Sequence, residues 1–184
     1  MPFNVNSIRA QLTGGGARPN LFNVRVPFPA ISDPQGAVTH MTFLCKGAQI
    51  PGSDIGTIEV PYFGRVIKIA GNRTFAEWTT TVINDEDFVI YNAIQEWMNQ
   101  INSHQANFRT AAAGNAPLGY QVDSEVFQYA KTGEEIKKIT IVNMWPSSLA
   151  PIDLAWETND AVEEFTCTWQ YDYWKTPTID EQAA

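Results

Sequence analysis

Between Glu163 and Trp174 the chain reads EEFTCTWQYDYW. Phe165, Cys167, Trp169, Tyr171 and Tyr173 fall on every second residue, and Thr166, Thr168, Gln170 and Asp172 take the places between them. Successive side chains of an extended strand point to opposite faces. This alternation therefore predicts a long strand with one aromatic face and one face of small neutral polar groups. Such a strand wants a core on one side and water on the other.

The same period recurs upstream. LFNVRVPF puts Phe22, Val24, Val26 and Phe28 on one face, and MTFLCKG, after the turn-rich PAISDPQG, alternates Met41, Phe43 and Cys45 with Thr42, Leu44 and Lys46 as a second strand. Further strands are predicted around Ile58, at Ile67 to Ile69 and at Phe75 to Ile83, separated by Pro-Gly, Phe-Gly and Gly-Asn turns. SEVFQYA and IKKITIVNMW give two more, the second ending at Trp145-Pro146. One stretch has the helical period. Asn84 to Asp87 supply a capping oxygen and carboxylates for the positive end of a helix dipole. Ile90, Ile94, Trp97, Met98 and Ile101 follow at helical spacing, with Asn92, Glu96 and Gln100 elsewhere, which predicts an amphipathic helix over about residues 86–103. SHQANFRTAAAGNAPLG reads as a loop. The expected fold is mainly β, an antiparallel β-sandwich or barrel with one amphipathic helix against one side.

A chain of 184 residues that is 44% hydrophobic can build one core. Residues 1–16, which end in Gly14-Gly15-Gly16 and lack periodicity, are expected to form a flexible arm, residues 17–174 the domain and residues 175–184 a tail. MPFNVNSIRAQ lacks the basic-then-apolar pattern of a secretory leader, and no apolar run approaches the roughly 20 residues that span a bilayer. Folding in a cytoplasm is the expectation, and Cys45 and Cys167, both inside strand patterns, are expected to be free thiols.

The net charge of −8 disfavours storage or reading of nucleic acid, which needs Lys and Arg against phosphates. The charge is uneven: residues 1–80 carry seven basic and four acidic side chains, +3, leaving −11 for the remainder. Either the distribution is accidental or the subunit has complementary poles and associates with its own copies.

Motifs for catalysis are missing. His40 and His104 have no Cys, Asp or Glu at ligand-like spacing, and there is no G-x-S-x-G, no Cys-x-x-Cys and no phosphate-cradling loop, since Gly14 to Gly16 lack the following Lys-Ser/Thr. Asn72-Arg73-Thr74 fits the glycosylation pattern only formally. Six tryptophans admit sugar stacking, but Trp78, Trp145 and Trp169 sit in alternating patterns that suit a core. A structural or binding role is expected rather than an enzyme.

IAGNRTFAEWTTTVINDE (Ile69 to Glu86), ARPNLFNV (Ala17 to Val24), Cys45-Lys46, MWPSSL (Met144 to Leu149) and the terminal DYW (Asp172 to Trp174) occur in an order that resembles the tail tube proteins of contractile-tailed, T-even-like bacteriophages. The resemblance covers roughly residues 17 to 174. It implies the tail-tube sandwich shared with pyocin and type VI secretion tubes. It also implies hexameric rings whose sheets join into one barrel, stacked into a hollow tube that DNA traverses, with no cofactor, metal or membrane insertion. Implied partners are a contractile sheath, a baseplate tube initiator, a tail terminator and a tape-measure protein. The alternatives are a tube protein or initiator of a phage-derived injection or secretion system, and a monomeric β-sandwich that binds carbohydrate or protein.

Three sets of residues are singled out under that resemblance. Tyr62, Phe63 and Arg65, at a turn in the segment Pro51 to Gly71, are candidates for contact with a neighbouring subunit. Asp85, Glu86 and Asp87 at the helix start are candidates for a sheath. Glu77, Thr79 and Thr81 with Glu164, Thr166, Thr168, Gln170 and Asp172 are candidates to line the bore, because none is basic and none is aromatic.

Overall fold

The computed structural model describes residues 5–29, 36–106 and 119–177. Most of PAISDPQG, most of the loop expected at SHQANFRTAAAGNAPLG, the first residues of the arm and the end of the tail lie outside the described residues. In chain order the elements are α1 (Val5–Gln11), β1 (Phe22–Arg25), α2 (Ala37–Leu44), β2 (Cys45–Ala48), β3 (Asp54–Tyr62), β4 (Arg65–Thr74) and β5 (Trp78–Ile83). They continue with α3 (Val89–Ile101), β6 (Val122–Tyr129), β7 (Glu135–Leu149), β8 (Glu164–Gln170) and β9 (Tyr173–Lys175). The architecture is mainly β and antiparallel throughout, as expected.

β7 is the spine. Its first part pairs with β6 up to Val122↔Met144, and its last part pairs with β8 from Trp145↔Gln170 to Leu149↔Cys167. The strand order β1-β6-β7-β8-β5-β2 therefore wraps around one core, with β7 shared by both layers. The sequence reading ended this strand at Trp145-Pro146. The strand runs on because the ladder is bulged between Pro146 and Ser148, where a missing N–H is tolerated.

The bend in β7 centres on Asn143, whose φ of 57° is one that asparagine tolerates better than most residues. Its backbone N–H donates to Asp123 Oδ1 at 3.0 Å and its Nδ2 donates to Asp172 Oδ2 at 2.6 Å. Opposite this bend the strand expected from Phe165 to Trp174 breaks at Tyr171 and Asp172. β8 and β9 nevertheless keep one alignment on β7, Trp145↔Gln170 and Val142↔Tyr173.

Three α-helices are present among the described residues rather than one. MTFL belongs to α2, which buries Ala37 and Met41, four residues apart, and leaves Phe43 in solvent; only Cys45 to Ala48 are extended. α1 lies in the segment expected to be a flexible arm, and it buries nothing. α3 begins at Val89, not near residue 86, because Phe88 is left-handed with φ 54°. Asp85 caps it, with Oδ1 accepting from the Val89 N–H at 3.0 Å, while Asn84 turns to Glu163. Gln100, assigned by spacing to the polar side, is buried.

α3 meets the β5–β8 layer on tryptophans. Trp97 of α3 packs 5.8 Å from Trp169 of β8, which lies 6.5 Å from Trp78 of β5 (ring centroids). Each indole N–H has an acceptor: Trp169 donates to Thr80 Oγ1 at 2.9 Å, Trp97 to the Tyr120 carbonyl at 2.8 Å and Trp78 to the Gln49 carbonyl at 2.7 Å. Large rings are buried here without stranding their polar edges.

Candidate assembly surfaces and channel face

β3 and β4 form a two-stranded sheet of their own, and nearly every residue in them is exposed. A lone hairpin is marginal in water. This one is about 30 Å long, taking 3.3 Å per residue, and it presents Ile55, Ile58, Tyr62, Val66, Ile67 and Ile69 to solvent. Its bulge between Ile55 and Thr57 lies where Gly56 and Gly71 touch. A Cβ on Gly71 would come 3.1 Å from the Gly56 carbonyl oxygen, so a side chain there would have to push the facing backbone aside by a few tenths of an ångström.

At the tip, Phe63 (φ 41°) and Gly64 (φ 79°) make the two-residue loop between Tyr62 and Arg65. Positive φ at both positions is the type I′ pattern, which suits Asn-Gly or Asp-Gly and strains an aromatic residue. Phe63 is nonetheless 91% exposed, its ring 4.6 Å edge-on to Tyr62. That one contact, with a neighbour that is itself exposed, is the ring's only aromatic contact among the described residues, and a strained exposed aromatic residue points to use elsewhere. Tyr62, Phe63 and Arg65, chosen from sequence, thus share one protruding tip.

The second surface is the outer side of β5 and β8. Trp78, Thr80 and Val82 and, facing them, Phe165, Cys167 and Trp169 are buried, and the residues between them point the other way. The register Thr79↔Thr168, Thr81↔Thr166 and Ile83↔Glu164 brings the predicted threonines side by side on one face. Glu77 lies just before β5 and accepts from Gln170 Nε2 at 2.7 Å, closing one end of this face. Asp172 is not part of it in the same way, because it lies in the break and is held by Asn143. The sequence reading missed Lys46. From β2, across β5, its Nζ reaches Glu164 Oε1 at 2.6 Å and neutralises the carboxylate at the other end.

The acids before α3 differ among themselves. Asp85 is engaged on both oxygens, with the Val89 N–H on Oδ1 and His40 Nδ1 at 3.1 Å from Oδ2, so it ties α2 to the start of α3. Glu86 and Asp87 are exposed. Burial pushes the Cys45 thiol up to about 12 and Cys167 higher still, so neither is a reactive nucleophile at neutral pH. Both cysteines are free. Among the described residues no group of three or more His, Cys, Asp or Glu could hold a metal ion, and no helix is long and apolar enough to cross a membrane.

A sandwich with a threonine-rich second face and an apolar hairpin held clear of its core is that of a structural subunit built to join others. Residues 17–177 match the phage tail tube protein family, and the chain belongs to that family. It is 33% identical over 168 residues to tail tube protein gp19 of Enterobacteria phage T4, covering 91% of this chain and 96% of that one. It is 27% identical over 170 residues to the tail tube protein of Serratia phage KSP90, covering 91% and 93%. The fold is similar to a chain of the anti-feeding prophage tube-terminating cap, with TM-score 0.61 and 17% identity over 87% of this chain and 89% of that one. It is also similar to a chain of the sheath-tube complex of an extracellular contractile injection system in its extended state, with TM-score 0.58 and 16% identity over 95% and 98%. The protein is a structural component of the phage tail rather than an enzyme.

Proposed function

We propose that this tail tube protein closes into hexameric rings that stack into a hollow tube, with the threonine face of β5 and β8 lining the bore through which DNA leaves the particle. The apolar β3–β4 hairpin carries this reading, because it has no core of its own subunit to cover it. Tyr62, Phe63 and Arg65 then seat against a neighbouring subunit or ring. Sheet edges support ring closure: β2 ends the strand order, and beyond Met144 no strand pairs with β7 on the β6 side among the described residues. Joining the two edges between neighbours removes what would otherwise be open ladders.

A sheath surrounds the tube, as in the sheath-tube complex that this fold resembles, and Glu86 and Asp87 offer it weak, salt-sensitive contacts that let it slide. Asp85 serves the same end by holding the start of α3 in place. The column begins on a baseplate initiator, ends at a terminator and is measured by a tape-measure protein. DNA crosses the bore without specific binding. At physiological salt, charges act over only about 8 Å, so DNA in transit senses the lining residues and not the total charge. Glu77, Gln170, the threonines and the neutralised Lys46–Glu164 pair present no free cation to phosphates.

Replacing Thr79 and Thr81, or Thr166 and Thr168, by Lys tests the lining. Tubes form, but infectivity falls more than particle number because phosphates bind the wall. Particles that deliver DNA at the normal rate with both pairs replaced would place this face elsewhere.

A further inference from the structure

Among the described residues, two further exposed segments carry apolar side chains that neither the core nor the hairpin uses. The first is α1. Val5, Ile8 and Leu12 lie on one side at helical spacing, extended past Gln11 by the Leu12 N–H to the Ile8 carbonyl at 3.1 Å, and all three are exposed. A helix of 7 residues is too short to hold itself in water. Arg9 flanks the apolar edge, and no acidic residue precedes Asp33.

The second surface is the segment between β7 and β8. It encloses an open cleft of about 640 Å³ lined by Pro151, Ile152, Leu154, Trp156 and Val162 among others. Trp156 is 100% exposed and Leu154 84%. Acidic residues line it too, Asp153, Glu163 and Glu164, the last already paired with Lys46, and the sequence has no Lys or Arg between Thr140 and Trp174.

These surfaces belong to opposite ends of the molecule. The arm is anchored at the β6–β7 turn: Gly14, Gly16 and Arg18 lie in a hollow with Tyr129, Lys131 and Ile136, and the Tyr129 N–H donates to the Leu21 carbonyl at 2.9 Å. The cleft follows Leu149, at the far end of β7. A strand of that length spans at most about 46 Å. Gly14, Gly15 and Gly16 all have φ between 63° and 85°, a run of left-handed backbone that only glycine adopts freely, and α1 beyond it buries no residue.

We propose that α1 of one copy seats its Val5–Ile8–Leu12 edge in the 151–164 cleft of the next copy, with Arg9 against the acidic residues of its lining. The occupant is a second copy because the arm offers apolar side chains and a positive charge with no acid to a cleft lined by apolar and acidic side chains, in a ratio of one arm to one cleft. A contact between opposite ends is heterologous, so it propagates along an array rather than closing a dimer. It deepens the tube reading and rests on it, adding a link distinct from the hairpin and the sheet edges.

The test is cross-linking of the full chain. Ile8→Cys and Leu154→Cys proteins, each substituted at an exposed position, are mixed under assembly conditions and oxidised, with the unsubstituted chain as the control for Cys45 and Cys167. The expected result is a covalent dimer in the mixture that is absent from either variant alone. Adding Arg9→Glu to the Ile8→Cys chain lowers its yield about threefold, the scale of one exposed ion pair. Tubes by electron microscopy without this dimer, or a yield unmoved by Arg9→Glu, overturn the contact and leave the tube reading standing. The dimer without tubes supports the contact and counts against the tube reading; neither dimer nor tubes overturns both.

Discussion

Phe63→Asp isolates assembly from folding, because its two effects have opposite signs. Within the subunit, Phe63 holds a positive φ that strains an aromatic residue, and its ring is almost wholly in solvent. Aspartate at that φ converts Phe-Gly into Asp-Gly, a favoured type I′ loop worth up to about 1 kcal/mol locally, which offsets the lost exposed ring contact with Tyr62, so the isolated subunit keeps its stability. Between subunits the sign reverses. Burying Phe63 and Tyr62 against a neighbour contributes about 2 kcal/mol each. Losing both in the Tyr62→Asp, Phe63→Asp variant removes about 4 kcal/mol per contact, roughly a thousandfold in association constant. Urea titration followed by tryptophan fluorescence should give a midpoint at or slightly above that of the native chain, since Trp78, Trp97 and Trp169 report on a core to which the hairpin contributes no residue. Sedimentation velocity and negative-stain microscopy of the same samples should show monomers and no tubes. Normal tubes from this variant, or a clear fall in the urea midpoint, would refute the reasoning, the first by showing the tip is not an interface and the second by showing it belongs to the fold.

Other consequences follow from single contacts. Asp85→Ala removes both the α3 cap and the His40 partner and should lower unfolding free energy by about 1–2 kcal/mol in urea melts; for this reason sheath binding is better tested with Glu86→Lys and Asp87→Lys, which should reduce sheath assembly on preformed tubes at low salt. Thr80→Val strands the buried Trp169 N–H and should cost about 1–3 kcal/mol by the same assay, although the side chains are nearly the same shape. With the Cys45 thiol raised to about 12, only about one molecule in ten thousand carries the thiolate at pH 8, so thiol reagents should label the folded chain very slowly and both cysteines at once on denaturation.

The strands that were legible in sequence are those with one face in the core and one outside. β5 and β8 alternate cleanly because Trp78, Trp169 and their neighbours are buried on every second residue. That is also why Thr79 and Thr81, and Thr166 and Thr168, could each be assigned to the face opposite their strand's buried one; the register then sets them side by side. α2 was misread because Met41, Phe43 and Cys45 alternate by composition alone; the pair that decides its conformation is Ala37 and Met41, one helical turn apart. The start of α3 depends on a left-handed Phe88, for which side-chain type gives no signal. The break at Tyr171 and Asp172 is set by Asn143 on another strand, and Lys46 reaches Glu164 across β5, both non-local relations that a one-dimensional pattern does not carry. The hairpin was legible as strands and turns, but alternation cannot reveal that neither of its faces meets a core.

The most direct test is a cryo-electron microscopy reconstruction of whatever the purified native chain assembles into. The account predicts sixfold rings stacked around an open bore, with Thr79, Thr81, Thr166 and Thr168 on the inner wall and Phe63 buried against another subunit. A chain that stays monomeric under these conditions, or tubes with those four threonines on the outside and Phe63 in solvent, would contradict it.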